Sequence, residues 1–292
     1  MPRLFLTPRF PVLNFIVVFA FAAAAVTGGV RPAFAQGFGM SALESAYDDL
    51  AQYLEEMGEF SPEDWRVRIG AAIGTAPDYS GSNQYEVKGL PVFQVRYKDD
   101  LWIDPLGARF AVWSSDCCRL LAGLGISTGR TPDKDSRARL LPDVGTGVNF
   151  NITYEGQFAK YAAFRLRARQ EFAGGHGGLN LSAAVGTILR TDSVRLIPEI
   201  AVEWQSDKFM DAYYGVPVSA AAATGYTPYE PGSAFETAAL RLTSFYDLDE
   251  NWQLIMRGEA GLLLGAAKNS PLVREDGDSF QGLFGIGVLY EF

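Results

Sequence analysis

The chain has 292 residues, is 48% hydrophobic and 13% aromatic, and carries 25 basic against 34 acidic side chains, a formal net charge of −9. That balance argues against nucleic acid as a partner, and one His with two Cys cannot supply the roughly four N or S ligands of a zinc site. Composition fits a soluble sandwich as well as a membrane barrel, so the residue pattern has to separate them.

Residues 1–35 read as an export signal. Arg3 and Arg9 precede an apolar run from Phe15 to Val26, and Ala33 and Ala35 flank Phe34 as a small-residue cleavage site. The run is shorter than the roughly 20 residues that a membrane-spanning helix needs. The expected mature chain begins at Gln36, and losing three Arg and no acid moves its formal charge from −9 to −12.

Residues 36–64 form an acidic segment expected in the periplasm. Ser41 and Glu44 make a capping box, and Leu43, Tyr47, Leu50, Leu54 and Met57 recur at helical spacing, predicting a helix over 41–57. This apolar stripe is the candidate partner-binding face, since amphipathic helices dock through such stripes. A competing placement folds the helix back to plug the barrel mouth, its acids meeting basic side chains of the lumen.

From Trp65 the period becomes two. Over 159–171, Ala162, Phe164, Leu166 and Ala168 alternate with Arg165, Arg167, Arg169 and Glu171; over 194–205, Val194, Leu196, Ile200, Val202 and Trp204 oppose Arg195, Glu199 and Glu203. Over 251–264, Trp252, Leu254, Met256, Ala260 and Leu262 oppose Gln253, Arg257 and Glu259. The expected strands are 65–74, 88–97, 101–113, 117–127, 144–153, 159–171, 178–190, 194–205, 234–246, 251–264 and 281–292. Their length of about 10 residues exceeds the usual 5–6 of soluble sheets. Trp65, Tyr97, Trp102, Trp113, Trp204, Tyr246, Trp252, Tyr290 and Phe292 lie near strand ends, as an interfacial girdle requires.

A sheet in hydrocarbon must close to satisfy its backbone. Residues 65–292 are therefore read as an all-β, closed antiparallel transmembrane barrel in the outer membrane of a Gram-negative bacterium. Ten to twelve strands are expected, with twelve preferred, because eleven segments conflict with the even count of such barrels. Long external loops are placed at 206–233 and 265–280, with periplasmic turns at Asp192-Ser193 and Asp247 to Asn251.

The candidate lumenal charges are Arg66, Arg68, Arg165, Arg167, Arg169, Arg195, Arg241 and Arg257 with Glu171, Glu199, Glu203 and Glu259. They read either as an ion-paired interior that stiffens the barrel or as an arginine-lined conduit for small anions. Cys117 and Cys118 would point to opposite faces of a strand, so two thiols are expected rather than a mutual disulfide.

Several segments, in order, resemble the MipA/OmpV family of outer membrane proteins: Ala76-Pro77-Asp78-Tyr79-Ser80-Gly81-Ser82, Gly175-His176-Gly177-Gly178-Leu179, Tyr213-Tyr214-Gly215-Val216 with Ser219, Ala220 and Gly225, Ser270-Pro271-Leu272-Val273, and the terminal Tyr290-Glu291-Phe292. The resemblance implies a barrel that scaffolds a murein lytic transglycosylase and a murein synthase, other members being discussed as adhesins. It also implies that Phe292 is the signal read by the barrel-assembly machinery. The acidic helix is not part of the family pattern. Pro77, Tyr79, Gly81, His176, Tyr214, Gly215, Ser270 and Pro271 read either as loop architecture or as partner contacts.

His176 could act as a general base with Ser182 or Asn180, but it lies in a Gly-rich turn with no evident acidic neighbour, so no catalysis is expected. Glu275, Asp276 and Asp278 could offer oxygens to calcium, although a hydrophilic loop tip is the preferred reading. No cofactor is expected. The functional expectation is a non-enzymatic scaffold in contact with outer membrane lipid and lipopolysaccharide, with a narrow anion channel or a surface adhesin as alternatives.

Overall fold

A computed structural model describes residues 65–98, 100–130, 132, 136–159 and 162–292. The expected signal at 1–35 and the helix at 41–57, with Leu43, Tyr47, Leu50, Leu54 and Met57, lie outside the described residues.

Twelve antiparallel strands run in chain order around a closed barrel. They are β1 (Trp65–Pro77), β2 (Tyr85–Tyr97), β3 (Leu101–Asp104), β4 (Gly107–Ser114), β5 (Cys118–Ser127), β6 (Gly147–Ala159) and β7 (Ala162–Gly174). There follow β8 (Leu179–Gly186, continued by Leu189–Arg190), β9 (Val194–Gln205), β10 (Ala234–Asp247), β11 (Trp252–Leu263) and β12 (Phe280–Glu291). The two parts of β8 hold one register against β9, as Glu199↔Gly186 and Arg195↔Arg190 show, so they form one strand with a two-residue interruption. Pairing of β12 with β1 from Arg68↔Glu291 to Thr75↔Phe284 closes the cylinder.

The segment read as a single strand over 101–113 is two. The chain reverses at Pro105 and Leu106, and β3 pairs with β4 from Leu101↔Phe110 to Asp104↔Gly107. Apolar alternation continues through the reversal, which is why periodicity did not mark it. This split supplies the missing even strand.

Alternation sorts the wall. Leu166, Ile200, Leu240 and Leu262 are exposed on the outside, while Arg165, Arg167, Glu199 and Arg241 are buried on the inside. Such an outer surface is stable only against lipid. Trp65, Trp113, Tyr246, Trp252 and Phe292 are exposed at the end where both described termini meet. There the rings of Trp65 and Tyr97 lie 4.6 Å apart, and those of Trp252 and Tyr290 5.0 Å apart. Short turns fix this end as periplasmic and long loops the opposite end as extracellular. Phe292 donates its backbone N–H to Val67 O at 3.0 Å, tying the last residue to β1.

Two expectations need correction. Trp102 does not join the girdle: it is fully buried on the inner face of β3, with the Arg119 guanidinium 5.3 Å over its ring. Cys117 and Cys118 form a disulfide. Cys117 lies in the β4–β5 turn rather than on a strand, so the alternation that keeps strand neighbours apart does not apply to the pair.

Candidate functional site

Three layers fill the barrel. In the periplasmic half, Val92, Ile197, Phe245, Ile255 and Leu289 come from five different strands, β2 and β9 to β12, and form one apolar cluster, with Ala72, Leu106 and Ile188 against them. These positions alternate inward on their strands, and the sequence reading, which placed only charged residues in the lumen, did not include them.

Charges lie on both sides of it. Arg68 Nε donates to Glu291 Oε2 at 2.6 Å, and Arg66 lies 3.7 Å from Glu291. Arg119 pairs with Glu155, Arg165 bridges Glu155 at 3.6 Å and Glu199 at 3.5 Å, and Arg195 reaches Asp247 at 2.8 Å. Arg241 joins Glu203 at 2.6 Å and Glu259 at 3.0 Å; Arg257 lies 3.4 Å from Glu259 and donates to Thr243 Oγ1 at 2.8 Å. Arg167, Arg169 and Glu171 line a small polar cavity of about 40 Å³ beneath the extracellular loops. Asp104, Arg109, Arg119, Glu155 and Glu291 belong to these networks and were missed as lumenal charges. Separating β3 from β4 turns Asp104 and Arg109 inward, while parity on β5, β6 and β12 already faces Arg119, Glu155 and Glu291 into the lumen.

The third layer is an extracellular cap, where the family-like segments converge. The loop after β9 carries α1 (Asp207–Tyr214) and α2 (Val218–Thr224); the loop after β11 carries α3 (Gly265–Asn269) and α4 (Pro271–Asp276). Phe209, Met210, Tyr213 and Tyr214 pack on Leu263, Ala267 and Val273. Tyr79 packs with Ala138, Val216, Ala220, Tyr226 and Leu272. Pro77 ends β1 so that the next residues turn into this cluster. Gly81 sits at φ +94°, where a Cβ would stand 2.5 Å from Val273 Cγ2, so the site excludes larger residues by backbone and by space. Gly215 ends α1 with its N–H on Asp211 O at 3.0 Å. Pro271 opens α4 after Ser270, whose Oγ donates to Tyr214 O at 2.7 Å.

The cap is locked to the barrel by a buried polar clamp. Tyr214 Oη donates to Glu236 Oε1 at 2.6 Å, Gln205 Nε2 donates to Glu236 Oε2 at 2.5 Å, and Ser80 Oγ lies 2.6 Å from Tyr214 Oη. Burial, then the Glu236 carboxylate, pushes the Tyr214 hydroxyl well above its ordinary pKa, so it remains a donor. Glu236 reaches this position through a β-bulge. The register of β9 against β10 shifts between Glu203 and Trp204, leaving Glu236 as the extra residue and turning it inward.

On the opposite side of the cap, Arg130 donates to Tyr213 O at 2.9 Å and Pro142 O at 3.0 Å. Arg137 forms a fork on Asp276 at 2.6 and 2.5 Å, lies 3.6 Å from Glu275, and stacks 4.4 Å over Tyr226. Asp278 Oδ1 accepts from Phe280 N–H at 2.9 Å. The carboxylates considered for calcium thus serve an arginine and a turn, and no group of metal ligands occurs among the described residues.

His176 has an acidic neighbour after all, since Glu171 Oε2 lies 3.3 Å from Nδ1. The tight turn through Gly174 and Gly175, both at positive φ, folds back onto β7 and creates this contact over only five residues. Nδ1 accepts from Gly178 N–H at 2.9 Å, so its lone pair is already engaged. The ring stands edge-on to Phe209 at 4.8 Å and Tyr213 at 5.6 Å. Burial and the nearby Arg169 charge hold the imidazole down to about 4, neutral at physiological pH. Its geometry is that of a packing residue under the cap.

The arrangement is that of an outer membrane β-barrel with a closed extracellular mouth and a charge-lined interior. The chain belongs to the MltA-interacting protein MipA family, whose pattern matches residues 69–292. It is 23% identical over 231 residues to the MltA-interacting protein of Escherichia coli (strain K12), across 78% of this chain and 90% of that protein, and equally to the one from Shigella flexneri. Among solved structures, the translocator domain of the autotransporter NalP from Neisseria meningitidis aligns at TM-score 0.42 and 12% identity over 89% of this chain and 100% of that one. A KdgM porin aligns at 0.40 and 10% over 77% and 99%.

Proposed function

We propose that this protein is a non-enzymatic outer membrane scaffold that holds a murein lytic transglycosylase, and through it a murein synthase, at the inner face of the outer membrane. The observation that carries the reading is the filling of the lumen by an apolar cluster from five strands, by buried ion pairs and by the loop cap. A barrel closed in this way serves better as an anchored platform than as a pore. The partner class follows from the relatives named for interaction with MltA. Residues 36–64 supply the contact, through the stripe of Leu43, Tyr47, Leu50, Leu54 and Met57, and Phe292 serves assembly of the barrel itself.

An in-cell crosslinking pull-down of the exported protein, with and without 36–64, tests this. Recovery of a murein hydrolase with the full chain and its loss on deletion is the expected result. Equal recovery from both places the contact on the barrel turns, and recovery of assembly factors alone rejects the scaffold. The channel alternative makes the opposite demand in planar bilayers: anion-selective steps from the intact protein. We expect none until the loop over 206–233 is removed.

A further inference from the structure

The periplasmic turn between β4 and β5 holds a pair of joined cysteines that the fold does not need. A disulfide stabilises chiefly by constraining the unfolded chain, and the effect grows with the loop it closes. Cys117 and Cys118 are adjacent, so theirs closes the smallest loop a chain allows and ties no strand to another. The hairpin is already held by its ladder, from Gly107↔Gly125 to Ser114↔Arg119. Ser115 closes the turn, with its N–H on Cys118 O at 2.8 Å and its Oγ accepting from Cys118 N–H at 3.2 Å.

The two sulfurs belong to residues in different surroundings. Cys117 is exposed in the turn, beside the exposed Asp116. Cys118 is half-buried at the start of β5, directly opposite Gly156 of β6. A Cβ at Gly156 would stand 2.8 Å from Cys118 Sγ, so the missing side chain there is what seats this sulfur against the wall. Gln157 donates its N–H to Cys117 O at 2.9 Å. Backbone bonds on both sides thus hold the segment independently of the sulfurs, with one cysteine open to a reagent from water and the other shielded.

We infer that Cys117 and Cys118 form a thiol–disulfide exchange site whose partner is a periplasmic dithiol protein. Exchange requires one sulfur that a thiolate can reach and another that leaves; Cys117 Sγ is the first and Cys118 Sγ the second. The partner's thiolate bonds to Cys117 Sγ as the bond between the two Sγ atoms breaks, and Cys118 leaves as a thiolate that takes a proton from water. The partner's second thiol, losing its proton, then displaces Cys117. Two electrons pass, so the barrel gains two thiols and the partner a disulfide; an oxidised partner runs the same steps backwards. Adjacency selects a dithiol over a monothiol, because a single-thiol adduct on Cys117 is expelled by Cys118 one residue away, and a second thiol in the attacker competes with that reversal. The inference is independent of the scaffold reading, since it needs neither residues 36–64 nor a murein enzyme.

The test challenges the full exported chain in nanodiscs with a thioredoxin-type dithiol protein, with the same protein reduced to its attacking cysteine, and with glutathione at equal thiol concentration. Acid quenching, alkylation and peptide mass spectrometry read each sulfur, and heat-modifiable gel migration reads the barrel. The dithiol protein should open the pair with migration unchanged, about tenfold faster than glutathione does. Adducts of the one-cysteine protein should map to Cys117 about tenfold over Cys118, since access decides which sulfur is attacked. Opening that occurs only when migration is lost, or only in urea, overturns the proposal by making the bond structural. So do adducts divided equally between the sulfurs, or glutathione acting as fast as the dithiol. A chain whose two cysteines alkylate without reduction, and still do after treatment with the oxidised dithiol protein, overturns it as well.

Discussion

The two ends of the lumen are closed by different physics. At the periplasmic side the seal is made of strand residues, with Phe245, Ile255, Ile197, Leu289 and Val92 packed where the barrel's own hydrogen bonds hold them. At the extracellular side it is made of loops, held by Tyr214, Gln205 and Ser80 around Glu236 and by Arg137 on Asp276. A strand-built seal opens only if the wall opens. A loop-built seal has its own local stability and can move while the barrel stays folded.

Substitutions separate the two seals, and the largest effect belongs to the strand-built one. Phe245→Ala, at a fully buried position, should lower barrel stability by about 3–5 kcal/mol in a urea titration in lipid, because a rigid wall cannot collapse into the cavity. If the loss is under 1 kcal/mol, the layer is not close-packed.

His176 gives the cap a pH dependence. Its folded pKa of about 4 lies below the ordinary 6.5, so the opened state binds more protons between those values and cap stability rises with pH across that interval. Lowering the pH from 6.5 towards 4 should weaken the cap by up to about 3 kcal/mol, with no further loss from this group below pH 4. Hydrogen exchange of 206–233 reads it, and His176→Phe should flatten the profile.

Tyr214→Phe removes a donor to a buried carboxylate and should release the cap by about 1–3 kcal/mol, visible as faster proteolysis of 206–233 with barrel unfolding unchanged. A barrel that unfolds earlier by the same amount would mean that cap and wall form one cooperative unit. The smallest effect is expected of Arg137→Ala, less than about 1 kcal/mol, because its pair with Asp276 is solvent-exposed and screened by salt. The Asp276 carboxyl is held below its ordinary value by the Arg137 hydrogen bonds, so this contribution is present above about pH 4 and fades as pH falls further.

Much of the barrel was legible because alternation in a lipid-facing wall leaves little freedom: Arg165, Arg167 and Arg169 turn inward since the other face meets hydrocarbon. Glu236 shows where that logic could have gone further. Strict alternation back from Leu242 and Leu240 puts Glu236 in lipid and Phe235 in the lumen, and a bulge is the backbone's way to exchange them. The motif residues were legible as turn formers, but their meeting was not. Tyr79, Tyr214 and Ser270 are joined by contacts between loops far apart in the chain, which no local period encodes.

By itself, then, the sequence determined a closed, even-stranded barrel with charged interior faces, because periodicity and backbone satisfaction in a membrane are local demands repeated at every strand. Tertiary structure alone decided that the mouth is capped, that five inward apolar residues form one cluster, that Cys117 and Cys118 are joined, and that β3 and β4 form a short hairpin. Each of these depends on which strands and loops become neighbours, and that is fixed by closing the cylinder rather than by any single segment.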